Sequence, residues 1–350
     1  MTEKTNPGRF FEDFRIGQEI VHPTPRTISE GDTALYTALY GSRFAVPSSD
    51  MFAMSLGYEG APVDDLLVFH MVFGKTVPDI SINAVANLGY AAGRFAGAVY
   101  PGDTLRAVSR VIGLKENSSA RSGVVYVHST GLNQRDEPVL DYVRWVMVNK
   151  GDPSAPAPKT VIPDLDPFVG EKELMVPVGL DLSDYDTTLS GSDFKWRDYE
   201  VGDKIDHRDG MTIEEADHMM ATRLYQNTAR VHFNQHTEAA GRFGRRIVYG
   251  GHVISLARAL SFNGLANGFH VVAINAGTHL APTFAGDTIY AWSEVMGKMA
   301  VPDRDDLGAL RLRTVATKDQ ACAAFPDRDS GGKPDPAMVL ELDYAVLMPL

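Results

Sequence analysis

The sequence contains an internal repeat, and this repeat constrains the fold more than any other feature. Residues 11–40 align without a gap on residues 196–225 at an offset of 185, and eleven of the thirty positions are identical. Tyr40 and Tyr225, for example, end the two matched segments. A chain that repeats itself in this way folds as two copies of one unit.

Two further matches extend the repeat toward the end of each copy. Residues 93–105 match residues 277–289 at an offset of 184, and the tripeptide LDY at 140–142 recurs at 342–344. The larger offset of 202 at LDY predicts extra residues in the second copy. The polar stretch 319–336, rich in Gly, Pro and Asp, is typical of a loop and accounts for them.

The repeat and the composition together predict three parts of the chain. Residues 1–150 form the first unit, residues 151–190 a linker and residues 191–350 the second unit. The linker is rich in Pro, Asp and Ser, as expected for a segment that crosses the surface. Its inner apolar run, 174–180, is expected to lie along a neighbouring domain.

The sequence pattern predicts the same order of secondary-structure elements in each unit. A short strand precedes a helix that begins near Thr27 or Thr212, where Thr-Ile-Ser-Glu and Thr-Ile-Glu-Glu read as capping boxes. An irregular stretch follows, then a long apolar helix, and finally several strands with alternating patterns. The architecture inferred is α+β, with one helix wrapped by an antiparallel sheet, present twice. The long helices are predicted at 66–77 and 253–263.

Composition excludes several classes of partner. The chain has 45 acidic and 33 basic residues, a formal net charge of −12, which argues against binding to nucleic acid. The single cysteine, Cys322, excludes an intrachain disulfide and a cysteine metal cage, and fits a reducing, cytoplasmic setting. The N-terminus lacks the apolar core of a signal peptide, and no apolar run reaches membrane-spanning length.

A motif in the second copy suggests a family. Residues 226–232 read QNTARVH and residues 243–250 read FGRRIVYG, ahead of an apolar helix. This resembles the Gly-Asp-x-Asn-Pro-Ile-His and Phe-Gly-x-x-Ile-x-His-Gly pattern of the MaoC-like, or R-specific enoyl-CoA hydratase, family of hot-dog-fold proteins. The resemblance covers nearly the whole chain. It implies a tandem double hot-dog fold, with the hydratase motif in the second unit.

The departures from the family pattern indicate one working site. The family's catalytic Asp is replaced by Asn227, and its His is retained as His232. In the first copy, Pro47 occupies the position of His232, and proline cannot move a proton. The first unit is therefore expected to shape the substrate pocket while the second supplies the chemistry.

The resemblance implies a hydro-lyase of the EC 4.2.1 type, an enoyl-CoA hydratase or hydroxyacyl-CoA dehydratase, that acts on a short, branched, dicarboxylic enoyl-CoA. Coenzyme A is part of that substrate, and no other cofactor is expected. His232 and His236 have the i, i+4 spacing of a helical zinc motif but lack its Glu, so no metal is expected. A hot-dog thioesterase and a non-catalytic acyl-CoA-binding protein are the alternatives. A homo-oligomer is also expected.

The resemblance also assigns the central site residues. His232 is the acid–base group, since an imidazole near neutrality can take up or release a proton. Asn227 has no accessible pKa and would instead hold a water by hydrogen bonds, or is a polar loop residue. Gly250, at the start of the apolar helix, would offer its backbone N–H to the thioester oxygen, and its neighbours Tyr249 and Gly251 are expected to bind the substrate at the same turn.

Three arginines are candidates for binding the anionic groups of the substrate. Arg230 could clamp the free carboxylate in bidentate fashion, or pair with a surface Asp. Arg245 and Arg246 could meet the phosphates of coenzyme A, although an exposed basic pair is usually solvated surface.

Overall fold

The computed structural model describes residues 4–350. Its strands are β1 (Glu19–Thr27), β2 (Ala84–Phe95), β3 (Thr104–Glu116), β4 (Ser122–Leu132), β5 (Pro138–Asn149), β6 (Lys204–Thr212), β7 (His270–His279), β8 (Thr288–Ala300), β9 (Leu307–Lys318) and β10 (Met338–Pro349). Its α-helices are α1 (Glu30–Tyr40), α2 (Ala45–Ser48), α3 (Asp50–Ser55), α4 (Asp65–Ile80), α5 (Thr187–Ser190), α6 (Glu215–Leu224), α7 (Arg230–Phe233), α8 (Gln235–Glu238), α9 (Gly250–Leu260) and α10 (Phe262–Leu265). Single 3₁₀ turns lie at Phe11–Asp13, Glu171–Glu173 and Trp196–Asp198.

All ten of these strands belong to one antiparallel sheet, in the order β1-β3-β4-β5-β2-β7-β10-β9-β8-β6. The order reads the same from both ends, because β6 to β10 repeat β1 to β5. The two copies join where β2 pairs with β7, with Tyr90 opposite Gly277 and Gly93 opposite Ile274. The expectation of two α+β units is confirmed, and their strands form one continuous sheet.

Hydrogen bonds inside the sheet repeat along with the sequence. His22 bonds the Ser109 hydroxyl, which bonds Ser129, and His207 bonds Ser293, which bonds Thr314. Each group lies in the buried interior of its own copy, where its polar atoms require partners. The repeat is therefore a repeat of buried polar contacts as well as of strand order.

The alignment of the two LDY tripeptides is wrong by two residues. Ser129 pairs with Tyr142, and the equivalent Thr314 pairs with Leu342, so the true offset on the last strand is 200. A shift by an even number of residues keeps the same faces of the strand buried, which is why the error preserves the apolar pattern. The extra residues do form the loop between β9 and β10, as expected.

The central helices α4 and α9 pack against the sheet, each mainly on the strands of its own copy. Both are buried around nearly all of their circumference, and their apolar side chains form most of one continuous core. They start earlier than the sequence pattern indicates, at Asp65 and Gly250, and α9 ends at Leu260 before a kink that includes Gly264 at φ +106°.

The predicted capping boxes at Thr27 and Thr212 are wrong. Both threonines end strands, and their hydroxyls bond those of Thr104 and Thr288 on the neighbouring strands. The helix α1 is instead capped by Ser29, whose hydroxyl accepts from the Asp32 amide, and α6 has no side-chain cap. Threonine at these positions favours the strand over the helix cap, because its branched Cβ suits extended backbone.

The linker is a surface-crossing segment with little regular structure. Val161 forms a β-bridge with Leu114 of the first copy, and the amide of Val169 donates to Asn275 of the second. Leu174 and Leu180, from the predicted apolar run, are buried in a cluster with residues of β7 and β10. The linker thus binds both copies.

Equivalent residues of the two copies meet at the pseudo-twofold axis. The hydroxyls of Tyr40 and Tyr225, which match in the repeat, lie 2.7 Å apart, and Tyr40 also lies 2.9 Å from Nδ1 of His252. His70 and Ser255, a second pair separated by 185 residues, bond at 2.9 Å. This buried polar cluster fixes how the two central helices face each other.

Tyr40→Phe is expected to lower the free energy of unfolding by about 1–3 kcal/mol, because it leaves buried groups on Tyr225 and His252 without a partner. Denaturant unfolding measures the change. Tyr290→Phe is the control, since the Tyr290 hydroxyl makes no hydrogen bond within residues 4–350, and it should change stability by less than about 0.5 kcal/mol. Equal effects of the two variants would contradict a structural role for the axial cluster.

Candidate active site

A cavity of about 290 Å³ lies between the two copies. The first copy lines it from α4, β2 and β5, and the second lines it from the segment before α9 and from the end of β7. Among the described residues that line it, none is acidic. The polar and ionisable residues in the lining are Ser81, Asn87, Tyr90, Arg144, Asn227, His232, Tyr249, His279 and Thr283.

His232 lies in α7 and faces this cavity. Its Nδ1 lies 3.0 Å from the Ile247 carbonyl, which can only accept, so Nδ1 carries the hydrogen and Nε2 carries the lone pair. Nε2 makes no hydrogen bond within residues 4–350. Burial lowers the pKa of His232 to about 4, so the imidazole is neutral at physiological pH and can act as a base.

Asn227 is 5% exposed and also lines the cavity. Its Oδ1 accepts from the Ala229 amide at 3.0 Å, an interaction that fixes the side chain and the start of α7. The Nδ2 group has no protein partner within the described chain and is free to donate to a water or to the substrate. A carboxylate could accept from Ala229 equally well, so the Asn changes the charge of the site and not its local geometry.

The first turn of α9 borders the cavity at Gly250. Its N-cap, Tyr249, provides no side-chain cap, and the N–H groups of Gly250 and Gly251 have no bond partner among residues 4–350. A β-carbon at Gly250 would overlap the imidazole of His279. Glycine is therefore required there, and its free N–H can point at a ligand oxygen.

Tyr249 and Gly251 have separate positions around this turn. The Tyr249 ring packs edge-on against His232, with 5.6 Å between centroids, and its hydroxyl lies 3.4 Å from Nδ1 of His70. Gly251 faces away from the cavity, where a β-carbon would overlap Tyr249 and His70. Tyr249 is thus a wall of the cavity, whereas Gly251 serves helix packing.

The three predicted arginines all lie outside the lining of the cavity. Arg230 is exposed on α7, so it is not placed to clamp a carboxylate inside. Arg246 is ion-paired with Glu215. Arg245 is exposed, and its guanidinium carbon lies 3.9 Å from the centroid of Phe284, which follows the lining residue Thr283.

Sequence reasoning missed two residues that line the cavity, His279 and Arg144. His279 stands where the first copy has Phe95, the same kind of change that distinguishes His232 from Pro47. Its Nε2 lies 3.4 Å from the Tyr90 hydroxyl, and burial, together with the nearby His232, lowers its pKa to about 4.

The second missed residue is Arg144 on β5. It lies on the strand face that also carries Leu140, Tyr142, Val146 and Val148, all of them buried. A charged residue within an otherwise apolar face is an unusual signal, because burying a guanidinium is costly unless it has a partner.

The equivalent position in the first copy is filled. Pro47, Asp64 and Asp65 stand at the positions of His232, Tyr249 and Gly250, and the space that they border with Arg258 is only about 10 Å³. Arg258 replaces Phe73 there and packs 3.6 Å from the Phe44 ring centroid. The structure thus provides one cavity of substrate size at these two related positions.

The described chain contains neither a metal-ligand cluster nor a membrane-spanning helix. Within residues 4–350, no group of three or more His, Cys, Asp or Glu side chains is arranged to hold a metal ion. None of the helices in that range has the length and apolarity needed to cross a membrane.

The double unit and the cavity between its copies define a MaoC-like protein with a double hot-dog fold. The model superposes on the crystal structure of a MaoC domain protein dehydratase from Chloroflexus aurantiacus with a TM-score of 0.97, at 68% identity over 99% of both chains. A Mycobacterium tuberculosis protein with a double hotdog fold shares the architecture, with a TM-score of 0.74 at 24% identity over 97% of this chain and 98% of that one.

Sequence comparison identifies the particular family. The mesaconyl-CoA hydratase family model matches residues 1–328. The chain is 68% identical to the β-methylmalyl-CoA dehydratase of Chloroflexus aurantiacus over 100% of this chain and 99% of that protein. It is 59% identical to the mesaconyl-CoA hydratase of Cereibacter sphaeroides over 99% of each. The chain belongs to the mesaconyl-CoA hydratase family.

Gly250→Ala is expected to reduce kcat at least tenfold and to cost about 1–3 kcal/mol of stability, because the new methyl group displaces the His279 ring. Steady-state kinetics and thermal unfolding measure the two effects. Gly297→Ala is the matched control, since its β-carbon would meet only Cβ of Arg311 at an ordinary 3.7 Å. Full activity of Gly250→Ala would rule out a tight, functional turn at this position.

Proposed function

We propose that this protein reversibly hydrates mesaconyl-CoA (2-methylfumaryl-CoA) to β-methylmalyl-CoA. The observation that carries the proposal is a neutral imidazole, His232, whose free Nε2 faces a cavity beside a helix N-terminus with unsatisfied N–H groups. The identity to β-methylmalyl-CoA dehydratase and mesaconyl-CoA hydratase over the full length supports the choice of substrate.

The proposed reaction needs only groups that are present in the cavity. Nε2 of His232 takes a proton from water while the water oxygen bonds to the β-carbon of the substrate. Electrons move through the former double bond to the thioester oxygen, and the Gly250 N–H stabilises that enolate oxygen. The imidazolium then returns the proton to the α-carbon. Burial favours this last step, since the low pKa of His232 makes its protonated form a strong acid.

Asn227 stands at the position of the family's catalytic Asp, but its amide cannot take up or release a proton. Its free Nδ2 can hold the attacking water near His232, and the amide adds no negative charge to a cavity that receives a carboxylate-bearing substrate. The replacement of Asp by Asn is consistent with a mechanism in which one base, His232, both removes the proton and returns it.

The remaining parts of the proposal concern the cell and the rest of the substrate. We propose that Arg245, which packs on Phe284 next to the lining residue Thr283, contacts the phosphates of coenzyme A. The buried free thiol of Cys322 is consistent with a reducing, cytoplasmic setting. A homo-oligomer also stays part of the proposal, since β1 and β6 leave two open sheet edges.

Incubation with mesaconyl-CoA, with enoyl-thioester absorbance and free thiol both recorded, tests the function directly. Loss of absorbance without thiol is the expected result. His232→Ala should lower turnover by at least two orders of magnitude, on the order of what one acid–base group contributes. His236→Ala, at an exposed histidine of α8, should retain wild-type rates. Thiol release by the wild type would instead indicate a thioesterase, and no change in either signal an acyl-CoA-binding protein.

Arg245→Gln is expected to raise KM for the CoA thioester about three- to tenfold with kcat unchanged, because an exposed cation contributes on the order of 1 kcal/mol to binding a phosphate. The difference from wild type should shrink as salt is raised, because exposed charges are screened. Arg106→Gln, which removes an exposed cation paired with Asp136, is the control. A change in kcat alone would place Arg245 outside the CoA path.

A further inference from the structure

The cavity contains a buried cation without a counter-ion. Arg144 is 0% exposed, and within residues 4–350 it forms no ion pair. One terminal nitrogen donates to the hydroxyls of Thr76 at 2.8 Å and Ser81 at 3.3 Å. The other terminal nitrogen and Nε, both buried, have no partner.

The surroundings of Arg144 hold the guanidinium in place, and Arg144 itself lines the cavity. Thr76 accepts from Arg144 and donates to the Phe73 carbonyl, so its hydroxyl is fixed. The guanidinium carbon lies 4.3 Å from the Phe73 ring centroid. Phe73 packs in turn on Tyr249, the wall against which His232 rests. Arg144 and His232 therefore line one cavity from opposite copies.

A buried guanidinium of this kind requires an anion. Arginine stays protonated at physiological pH, and an unpaired buried charge is strongly unfavourable. Burial lowers the pKa of Arg144, and the groups that counter this effect are the tyrosines Tyr142, Tyr90 and Tyr249, not a carboxylate. With no acidic side chain in the lining, the charge is available to a ligand.

A second unpaired group lies on the neighbouring strand. Asn87 of β2 lines the same cavity, and both polar atoms of its amide are buried without a partner. The corresponding residues in the second copy, by strand pairing, are Val271 for Asn87 and Tyr344 for Arg144. The first copy, which lines the cavity opposite His232, therefore carries both unpaired groups, and the second copy has neither of them.

We propose that Arg144, assisted by Asn87, binds the free carboxylate of a dicarboxylic acyl group and thereby sets the substrate specificity of the site. This inference rests on the proposed function and identifies Arg144 as the residue that recognises the dicarboxylic substrate. The unpaired Nε and Nη1 of Arg144 each retain an N–H group that can donate to a carboxylate oxygen. The carboxylate is attached to the β-carbon of mesaconyl-CoA, so anchoring it would also hold that carbon near the water activated by His232.

Binding of two unreactive thioesters tests the proposal without relying on turnover. Succinyl-CoA and butyryl-CoA have acyl chains of equal length, and only the first carries a terminal carboxylate. By calorimetry, wild-type protein should bind succinyl-CoA at least 100-fold more tightly. Arg144→Met should remove this preference and leave the affinity for butyryl-CoA within about threefold, while kcat/KM for mesaconyl-CoA falls at least 100-fold. Arg144→Lys should recover part of the preference for succinyl-CoA and part of kcat/KM, since it restores the positive charge but not the planar guanidinium.

Stability separates binding from a structural role. Arg144→Met should leave the melting temperature unchanged or raise it, because it replaces an uncompensated buried charge by an apolar side chain. Arg106→Met is the control for removing a cation. If Arg144→Met does not fold, the comparison of the two ligands is made on Arg144→Lys, which should show a reduced preference.

The outcomes distinguish this proposal from the proposed function. Equal weakening of succinyl-CoA and butyryl-CoA by Arg144→Met, or by Arg144→Lys where that variant is used, would overturn the inference while hydration of mesaconyl-CoA by wild type still stands. A preference for succinyl-CoA that depends on Arg144, in a wild-type protein that does not hydrate mesaconyl-CoA, would support the carboxylate site and overturn the function.

Discussion

The pairing of β2 with β7 is the contact on which the rest of the molecule depends. It joins the two copies into one sheet, and it brings the backbones close enough that a β-carbon at Gly277 would lie 2.9 Å from the Tyr90 ring. The cavity opens beside this junction, so residues from both copies converge there. Tyr90 from the first copy meets His279 from the second, and neither copy alone contains the complete lining. The two units are two halves of one site.

Duplication explains why the site could become asymmetric. A symmetric pair of units would present two equivalent cavities, each with the same electrostatic demands. Here Arg258 and Pro47 fill the position in the first copy. The cavity at the other position can therefore combine a neutral group from one copy with a cationic group from the other. His232 needs a buried, neutral setting to remain a base, whereas Arg144 needs an anionic ligand to offset its burial. Because they lie on separate copies, each can change without disturbing the fold of the other.

The sequence predicted much of the fold, because a repeat and a strand pattern are local properties. The two units, the two central helices, the loop predicted at 319–336 and the linker all follow from them, with errors at boundaries such as Thr27, where a strand end resembles a helix cap. The site was predicted only where a motif marks it, at His232, Asn227 and Gly250. The role of Arg144 depends on an encounter across the β2–β7 junction, and a contact between distant segments leaves no trace in spacing. Its one local sign is a charge on an apolar strand face.

The most direct test of the account is a crystal structure of the protein with methylsuccinyl-CoA, a saturated analogue that cannot be hydrated. The account predicts one ligand per chain in the cavity between the copies. The free carboxylate should contact Arg144, the thioester oxygen should accept from the Gly250 N–H, and the carbons that correspond to the double bond should lie beside Nε2 of His232. A carboxylate bound at exposed Arg230, with Arg144 still unpaired, would contradict it.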